Sequence, residues 1–436
     1  MPTSQRRRAV LRIATALAAS AVLAPLTPRK TWAQPRFSAY PFTLGVASGS
    51  PRADGVVLWT RLAPEPLAGG GIPHENVGVA WELAADEGFR NIVRAGTATA
   101  TPELGHSVHV ELTDLEPARW YWYRFTAGDA VSPVGRTRTA PAADAAPGRL
   151  RFAFASCQQY EQGYYAAHRH LAAEDLDLVV FLGDYIYESS WGRNHVRKHA
   201  TSEPYTLADY RTRHAQYKTD PDLQRSHAAA PWIVTWDDHE VDNDYADDRS
   251  EDLDPDFLAR RASAYQAYYE HTPLARRALP RGPHAQIYDR FTFGDLVQFH
   301  VLDDRQYRTH QACARPGRGG SNVVADCAER LAPDRTMLGA AQEAWLSDGL
   351  ARTRARWNVI AQQTLMARHA RTSAYGQSFW TDGWDGYPAA RARLLNDIAR
   401  LKPSNPLVIG GDVHCNWVAD LKPDFDDAKS PVVATE

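Results

Sequence analysis

Charge of one sign is what this sequence lacks most plainly: the formal net charge is −3 at pH 7, and no basic stripe or lysine-rich run stands out. Nothing therefore argues for a nucleic-acid partner. No internal repeat is visible at solenoid or propeller periods, which sets the repeat architectures aside. Cysteine is scarce, with only Cys157, Cys313, Cys327 and Cys415. Long apolar runs are scarce as well. The one candidate, about residues 9–26, is short and alanine-rich for a membrane span and is interrupted by Pro25 and Pro28. No stable span is expected in the mature chain.

That apolar stretch makes sense as part of a processing signal over residues 1–33. Arg6, Arg7 and Arg8 precede Ala9, Val10 and Leu11, the twin-arginine pattern of bacterial signals for exporting folded proteins. Thr31, Trp32 and Ala33 then offer a small-x-small cleavage site before Gln34. A membrane anchor or a disordered basic tail is the plainer alternative, but charge, apolar run and cleavage site occur in the order a signal requires. The expectation is a periplasmic or secreted protein handled by the twin-arginine export machinery. In that oxidising setting Cys313 and Cys327 are expected to pair, because they flank a loop with Pro316, Gly317, Gly319 and Gly320.

What is present is the profile of a folded protein: 436 residues, 44% hydrophobic and 23% charged, enough for two domains behind a targeting segment. Residues 37–139 read as short alternating strands, among them Val56-Val57-Leu58-Trp59-Thr60 and Trp120-Tyr121-Trp122-Tyr123-Arg124-Phe125, separated by turns such as Asp54-Gly55. Leu115, Pro117 and Tyr121 fit a tyrosine corner, and an immunoglobulin- or fibronectin-like β-sandwich is expected there. It holds no cluster of His, Asp and Cys. After a Pro- and Ala-rich linker over 140–148, residues 150–436 alternate strand and helix, so an α/β domain is expected. Predicted strands cover 150–156, 178–182, 232–236, 296–302, 357–362 and 407–409; predicted helices cover 164–174, 257–270, 342–352 and 389–401. The second helix starts after Asp254 or Asp256 as cap.

In such a domain, binding residues collect at the carboxyl ends of the strands. Five endings carry ligand-type residues here: Ser156-Cys157, Gly183-Asp184-Tyr185-Ile186-Tyr187-Glu188, Asp237-Asp238-His239-Glu240-Val241-Asp242-Asn243, Asp303-Asp304-Arg305-Gln306-Tyr307-Arg308 and Gly410-Gly411-Asp412-Val413-His414. Solvation alone does not explain five in one domain. Their order resembles the calcineurin-like metallophosphoesterases, whose fold is an αββα sandwich. Cys157, the Trp236-Asp237-Asp238-His239-Glu240 block, Arg305-x-Tyr307-Arg308 and Asp382-Gly383-Trp384-Asp385-Gly386-Tyr387 are similar to the PhoD-like branch. The Gly183-Asp184-x-x-Tyr187 spacing also resembles the iron motif of purple acid phosphatases.

The resemblance implies an exported phosphoester hydrolase with two ions. Asp184, at a strand tip, is suited to bridge them, and Tyr187 three residues on can serve as a phenolate. A phenol with a pKa near 10 becomes a ligand only for a strongly Lewis-acidic ion such as Fe3+. Cys157 stands where many relatives carry an acid, and His414 completes the iron side by resemblance. On its own, Cys157 would read as a small buried hydrophobe. Asp238, Asn243 and Asp412 are oxygen donors suited to Ca2+; Zn2+ or Mn2+ are alternatives. His239 is implied in proton transfer or in holding phosphate oxygens, with Asp238 beside it. Arg305 is either a bidentate phosphate fork or a structural ion pair with Asp303 or Asp304.

Other polar residues receive plainer readings. Asp244, Asp247, Asp248, Glu251 and Asp252 read as a solvated acidic loop, and Cys415 as packing. His168, His170, His195, His199 and His214 show no metal spacing, and His369 reads as core or surface. The last residues, 432–436, look like the start of a strand, and relatives continue further, so an incomplete catalytic domain is expected. Two rival functions stand beside the main one. One is a phosphodiesterase or phospholipase D acting on lipid or cell-wall polymer. The other is an exported binding protein without catalysis.

Overall fold

The computed structural model describes residues 36–373 and 376–436; the expected export signal lies outside the described residues. Among the described residues no helix is long and apolar enough to cross a membrane. The amino-terminal strands are β1 (Val46–Gly49), β2 (Val56–Arg61), β3 (Val77–Ala84), β4 (Ile92–Ala100), β5 (Ser107–Leu112), β6 (Trp120–Ala127), β7 (Ala130–Val131) and β8 (Gly135–Arg138). They alternate because alternate side chains face one core: along β6, Tyr121, Tyr123 and Phe125 are buried while the residues between them are half-exposed. That core also holds Val46, Leu58, Val79, Leu83 and Val110 from both sheets. Tyr121 ties the corner down, its hydroxyl oxygen accepting the Glu116 N–H at 3.1 Å.

One sandwich sheet does not end at the domain edge. Strands β5, β2 and β1 continue through β1 into the first sheet of the second part, where β1 runs parallel to a later strand with Gly49 opposite Trp232. The seam is tight. A Cβ on Gly49 would stand 2.6 Å from the Pro273 carbonyl oxygen and 2.7 Å from that of Trp232, so no larger residue fits. The sequence signals of separate strands were correct, but a self-contained sandwich over 37–139 did not anticipate this shared sheet.

The second part follows in chain order: β9 (Phe152–Ala155), α1 (Ala166–Ala173), β10 (Leu178–Phe181), α2 (Leu207–Lys218), α3 (Pro221–Ala229), β11 (Trp232–Val234) and α4 (Phe257–His271). Then come β12 (Asp289–Phe293), β13 (Val297–Val301), β14 (Val323–Val324), α5 (Gly339–Arg352), β15 (Trp357–Ala361), β16 (Arg371–Ser373), β17 (Gly376–Trp380), α6 (Pro388–Leu401), β18 (Pro406–Ile409), β19 (Asp420–Leu421) and β20 (Ala434–Thr435). Strands β9, β10 and β11 are parallel neighbours, and so are β13, β15 and β18. Residues of both sheets, including Val180, Ile233, Phe299 and Val359, share one apolar cluster. A second cluster joins the first sheet to α1–α4, and a third joins the second sheet to α5 and α6. Residues 434–435 pair with β18 and β19, so the expected final strand is present.

Helices α2 and α3 are absent from the sequence expectation. The reason is visible on α2, which buries Arg213, His214, Gln216 and Lys218 and so shows no apolar stripe. The cap of α4 is one of the two expected residues. Asp256 occupies the cap position without a side-chain cap bond, while Asp254 accepts the Asp256 N–H at 2.9 Å.

Lys218 gives α2 a measurable signature. It is 1% exposed, lies 3.4 Å from His227 Nε2 and 4.3 Å from the Trp59 ring centre, and makes no ion pair among the described residues. Burial pushes its pKa from 10.5 down to about 7. Between those values the unfolded chain holds a proton that the folded chain lacks, so stability rises with pH across this window, by at most about 1.4 kcal/mol per unit. The Trp59 face favours the charged form and makes the slope shallower. Lys218→Met is expected to flatten this rise and to raise the melting temperature most at and below pH 7. Identical pH profiles for the two proteins would contradict it.

Candidate metal centre

The parallel strands deliver their carboxyl ends to one rim, and the backbone there is held in uncommon conformations. Cys157, Asp184, Asp412 and His414 all lie in the left-handed region, with φ of 56°, 56°, 65° and 54°. Non-glycine residues adopt this region at a cost, and such residues cluster at functional sites. Here the surrounding hydrogen bonds fix it: the Cys157 N–H donates to the Gly183 carbonyl and the Gln158 N–H to the Asp184 carbonyl, each at 3.1 Å. Gly183, at φ 105°, has no room for a side chain, because a Cβ would fall 2.5 Å from that of Asp237.

Cys157, Asp184 and His414 bring one ligand atom each within 4.8 Å of one another. Tyr187 closes the same group, its hydroxyl 3.1 Å from Asp184 Oδ2 and 3.1 Å from His414 Nε2. Asp184 belongs also to a second group with Asp238 and His239, and Asp238 to a third with Asp237 and Asp412. One carboxylate therefore links a sulfur-, phenol- and imidazole-bearing side to an oxygen-rich side. Asn243 lines the cavity beside Asp238; its Nδ2 donates to Glu251 at 2.9 Å, which leaves Oδ1 uncommitted.

The electrostatics fit bound cations. Asp184 Oδ1, Asp238 Oδ1 and Asp412 Oδ2 are buried without a hydrogen-bond donor. Burial, then the charges of neighbouring carboxylates, pushes Asp184 well above the usual carboxyl range despite His239. Asp412 is raised by burial and Asp237 against Arg305. Burial and Asp184 likewise raise the Cys157 thiol. Burial works against Asp238 too, but Arg305 and His239 outweigh it and hold that carboxyl low. A buried cluster of anions and soft donors without enough positive charge of its own is the environment that a metal ion relieves.

His239 stands over this centre. Its Nδ1 is 2.7 Å from Glu188 Oε2, and its ring packs 4.1 Å from that of Tyr187. Burial disfavours the imidazolium, yet Glu188, Asp238 and Asp184 outweigh it and raise the pKa well above the usual value. Two cavities, about 510 and 460 Å³, meet at Trp191, Asp412 and His414. The Trp191 and His414 rings stack 5.7 Å apart between them.

Comparison with known proteins decides the family. Residues 152–436 match the model of the PhoD-like phosphatase, and residues 27–141 match the PhoD-like phosphatase N-terminal domain. Alkaline phosphatase D of Bacillus subtilis (strain 168) is 51% identical over 414 residues, 93% of this chain and 70% of that protein. The chain belongs to the PhoD-like phosphatase family. A solved structure of PhoD superposes with a TM-score of 0.88 at 51% identity, over 92% of this chain and 77% of that one. This PhoD-like phosphatase is a metal-dependent phosphoester hydrolase.

The PhoD-like site gathers Cys157, Asp184, Tyr187, Asp238, His239, Asp412 and His414, with Asn243 on the cavity wall. Arg305 requires a correction. Its guanidinium is fully buried, paired with Asp237 and, at 2.7 Å, Asp382, with Asp238 at 3.5 Å and Asp412 at 3.9 Å. It lines neither cavity, and its contacts are those of a structural ion pair, with partners other than Asp303 or Asp304. Asp303 instead accepts the backbone N–H groups of Arg305 and Gln306, each at 3.0 Å. Asp244 is corrected too: it is buried, donates its N–H to Asp238 Oδ2 at 2.7 Å and forms a group with Asp238 and Asp382. Asp248 and Asp252 are exposed, as a solvated loop requires, and Asp247 and Glu251 are half-buried. Cys415 is exposed on the larger cavity, not packed.

None of His168, His170, His195, His199, His214 and His369 enters a metal-ligand group among the described residues. His369 is half-buried beside Trp417, with ring centres 4.8 Å apart. The expected disulfide joins Cys313 and Cys327. Two supports of the centre were given no role on sequence grounds. Glu188 holds His239, and Glu240 accepts the N–H groups of Asp184 at 3.0 Å, of Asp237 at 2.7 Å and of Tyr185. Both sit inside the strand-end motifs, which was the available signal.

Proposed function

We propose that this exported PhoD-like phosphatase cleaves phosphomonoesters and phosphodiesters on an iron–calcium centre, within a calcineurin-like αββα catalytic domain behind its β-sandwich. Export by the twin-arginine route is part of the proposal, resting on Arg6, Arg7 and the apolar run after them. The observation that carries the catalytic reading is Asp184, one carboxylate common to two ligand groups of different chemistry. Cys157, Tyr187 and His414 would hold Fe3+ with it, and Asp238, Asn243 and Asp412 would hold Ca2+. Ions held there would supply Lewis acidity, to activate water and offset phosphoryl charge.

The chain's own groups do the rest. Glu188 fixes the His239 ring through Nδ1, so a proton on Nε2 is left to donate. That proton steadies a phosphoryl oxygen or passes to the leaving alkoxide as its bond to phosphorus breaks. Arg305 acts indirectly, spacing the carboxylates of Asp237, Asp238 and Asp412 around the centre.

Cavities on both sides of the Trp191–His414 stack favour diesterase capacity, because each side offers room for one substituent of the phosphorus. Turnover of p-nitrophenyl phosphate against its bis-ester tests this. Cleavage of both is expected. Activity on the monoester alone removes the diesterase component, and activity on neither, in metal-loaded protein, sinks the catalytic reading.

A further inference from the structure

Away from the metal centre, a cavity of about 310 Å³ opens between the sandwich and helix α2. Arg61, Arg211, His74 and His106 line it, together with Gly69 and Gly70. Arg211 is paired with Glu270, its Nε and Nη2 each 2.6 Å from a carboxylate oxygen. Arg61 forms no such close pair, although the Glu270 carboxylate also acts on it through space. It is 3% exposed, and its Nε donates to the Gly105 carbonyl at 2.7 Å. Its Nη1 reaches His271 Nε2 at 2.7 Å. His271 is a neutral acceptor there: its Nδ1 is 2.6 Å from the Ala267 carbonyl, and burial and Arg61 keep its pKa far below the usual value.

The third nitrogen, Arg61 Nη2, makes no hydrogen bond and lies 3.7 Å from a Cβ position on Gly70, on the cavity wall. Asp209 is the one carboxylate among the described lining residues, and it is committed to its own helix cap. Its Oδ2 accepts the Thr206 N–H at 2.9 Å and the Thr206 hydroxyl at 2.7 Å. Two guanidiniums thus share the single Glu270 carboxylate, and an anion on Arg61 Nη2 would offset the positive charge left over. Its planar donors match tetrahedral oxyanions.

We propose that this cavity is an oxyanion site, taking a phosphate or sulfate group on Arg61 Nη2, with Arg211 beside it. It is independent of the metal centre and gives the sandwich domain a ligand-binding role.

Calorimetric titration of the metal-loaded enzyme with sulfate tests it. The comparison uses wild type, Arg61→Gln, Thr212→Glu and the metal-centre variant Asp184→Asn. Thr212 lies on the half-exposed cavity wall, so glutamate there brings repulsion without disturbing the core, and it decides the matter even should Arg61→Gln fail to fold. One saturable sulfate site is expected in wild type and in Asp184→Asn. It should weaken at least tenfold in Thr212→Glu and in folded Arg61→Gln, while Thr212→Glu keeps wild-type turnover. Unchanged affinity in Thr212→Glu, no saturable site in wild type, or loss of sulfate binding only in Asp184→Asn would each overturn the proposal. Turnover is read separately, so failure here leaves the hydrolase reading standing.

Discussion

Glu240→Ala is expected to empty the metal centre without removing a ligand. The Glu240 side chain is fully buried and accepts three backbone N–H groups, from Asp184, Tyr185 and Asp237. It thereby joins the loop after β10 to the loop after β11, and Asp184 stands on that joint in a left-handed conformation. Alanine leaves three buried donors unsatisfied. At about 1–3 kcal/mol for each, stability should fall by roughly 3–9 kcal/mol. Asp184 should lose its position at the same time, and both ions with it. Denaturant unfolding and metal analysis on the same sample check this. Glu240→Gln keeps one carbonyl acceptor and should fall between alanine and wild type. An alanine variant within about 1 kcal/mol of wild type, with its metals retained, would mean that water replaces the carboxylate.

His239→Asn separates chemistry from metal binding. If Nε2 of His239 donates to the substrate, turnover should drop by about 10²–10⁴, the usual worth of a positioned acid or base. Metal content and unfolding midpoint should stay close to wild type, because Cys157, Asp184, Tyr187 and His414 on one side and Asp238, Asn243 and Asp412 on the other are untouched. Glu188→Gln should reproduce part of the loss, since the amide still holds Nδ1 but no longer favours the imidazolium. Loss of an ion in His239→Asn would instead make the imidazole a ligand, a role its place in the Asp184–Asp238 group also permits.

The ligand side of the centre was legible because strand-end chemistry is local. Asp184, Asp238 and Asp412 each follow a buried apolar strand, and parallel pairing brings those ends together without further information. Arg305 was not legible, because its partners come from two other strand ends and from Asp382, and composition cannot say which carboxylate an arginine meets. Asp244 was misread for a related reason. An acidic run looks solvated until the loop closed by the Cys313–Cys327 disulfide covers it, placing the Ser321 N–H 3.0 Å from its Oδ2. The shared sheet escaped notice because strand periodicity reveals a buried face but not the neighbour across the hydrogen bonds. Helix α2 escaped because its buried face is polar, held by contacts such as Arg213 to the Glu188 carbonyl at 2.6 Å.

The central claim is a two-ion centre whose iron side includes a phenolate and a thiolate. Metal analysis of the purified mature protein, together with its visible spectrum and that of Tyr187→Phe, tests it most directly. The account predicts iron and calcium, with a broad tyrosinate-to-iron band that Tyr187→Phe abolishes. A colourless protein holding zinc or manganese would contradict the iron–tyrosine assignment, and a protein binding no metal after reconstitution would contradict the centre itself.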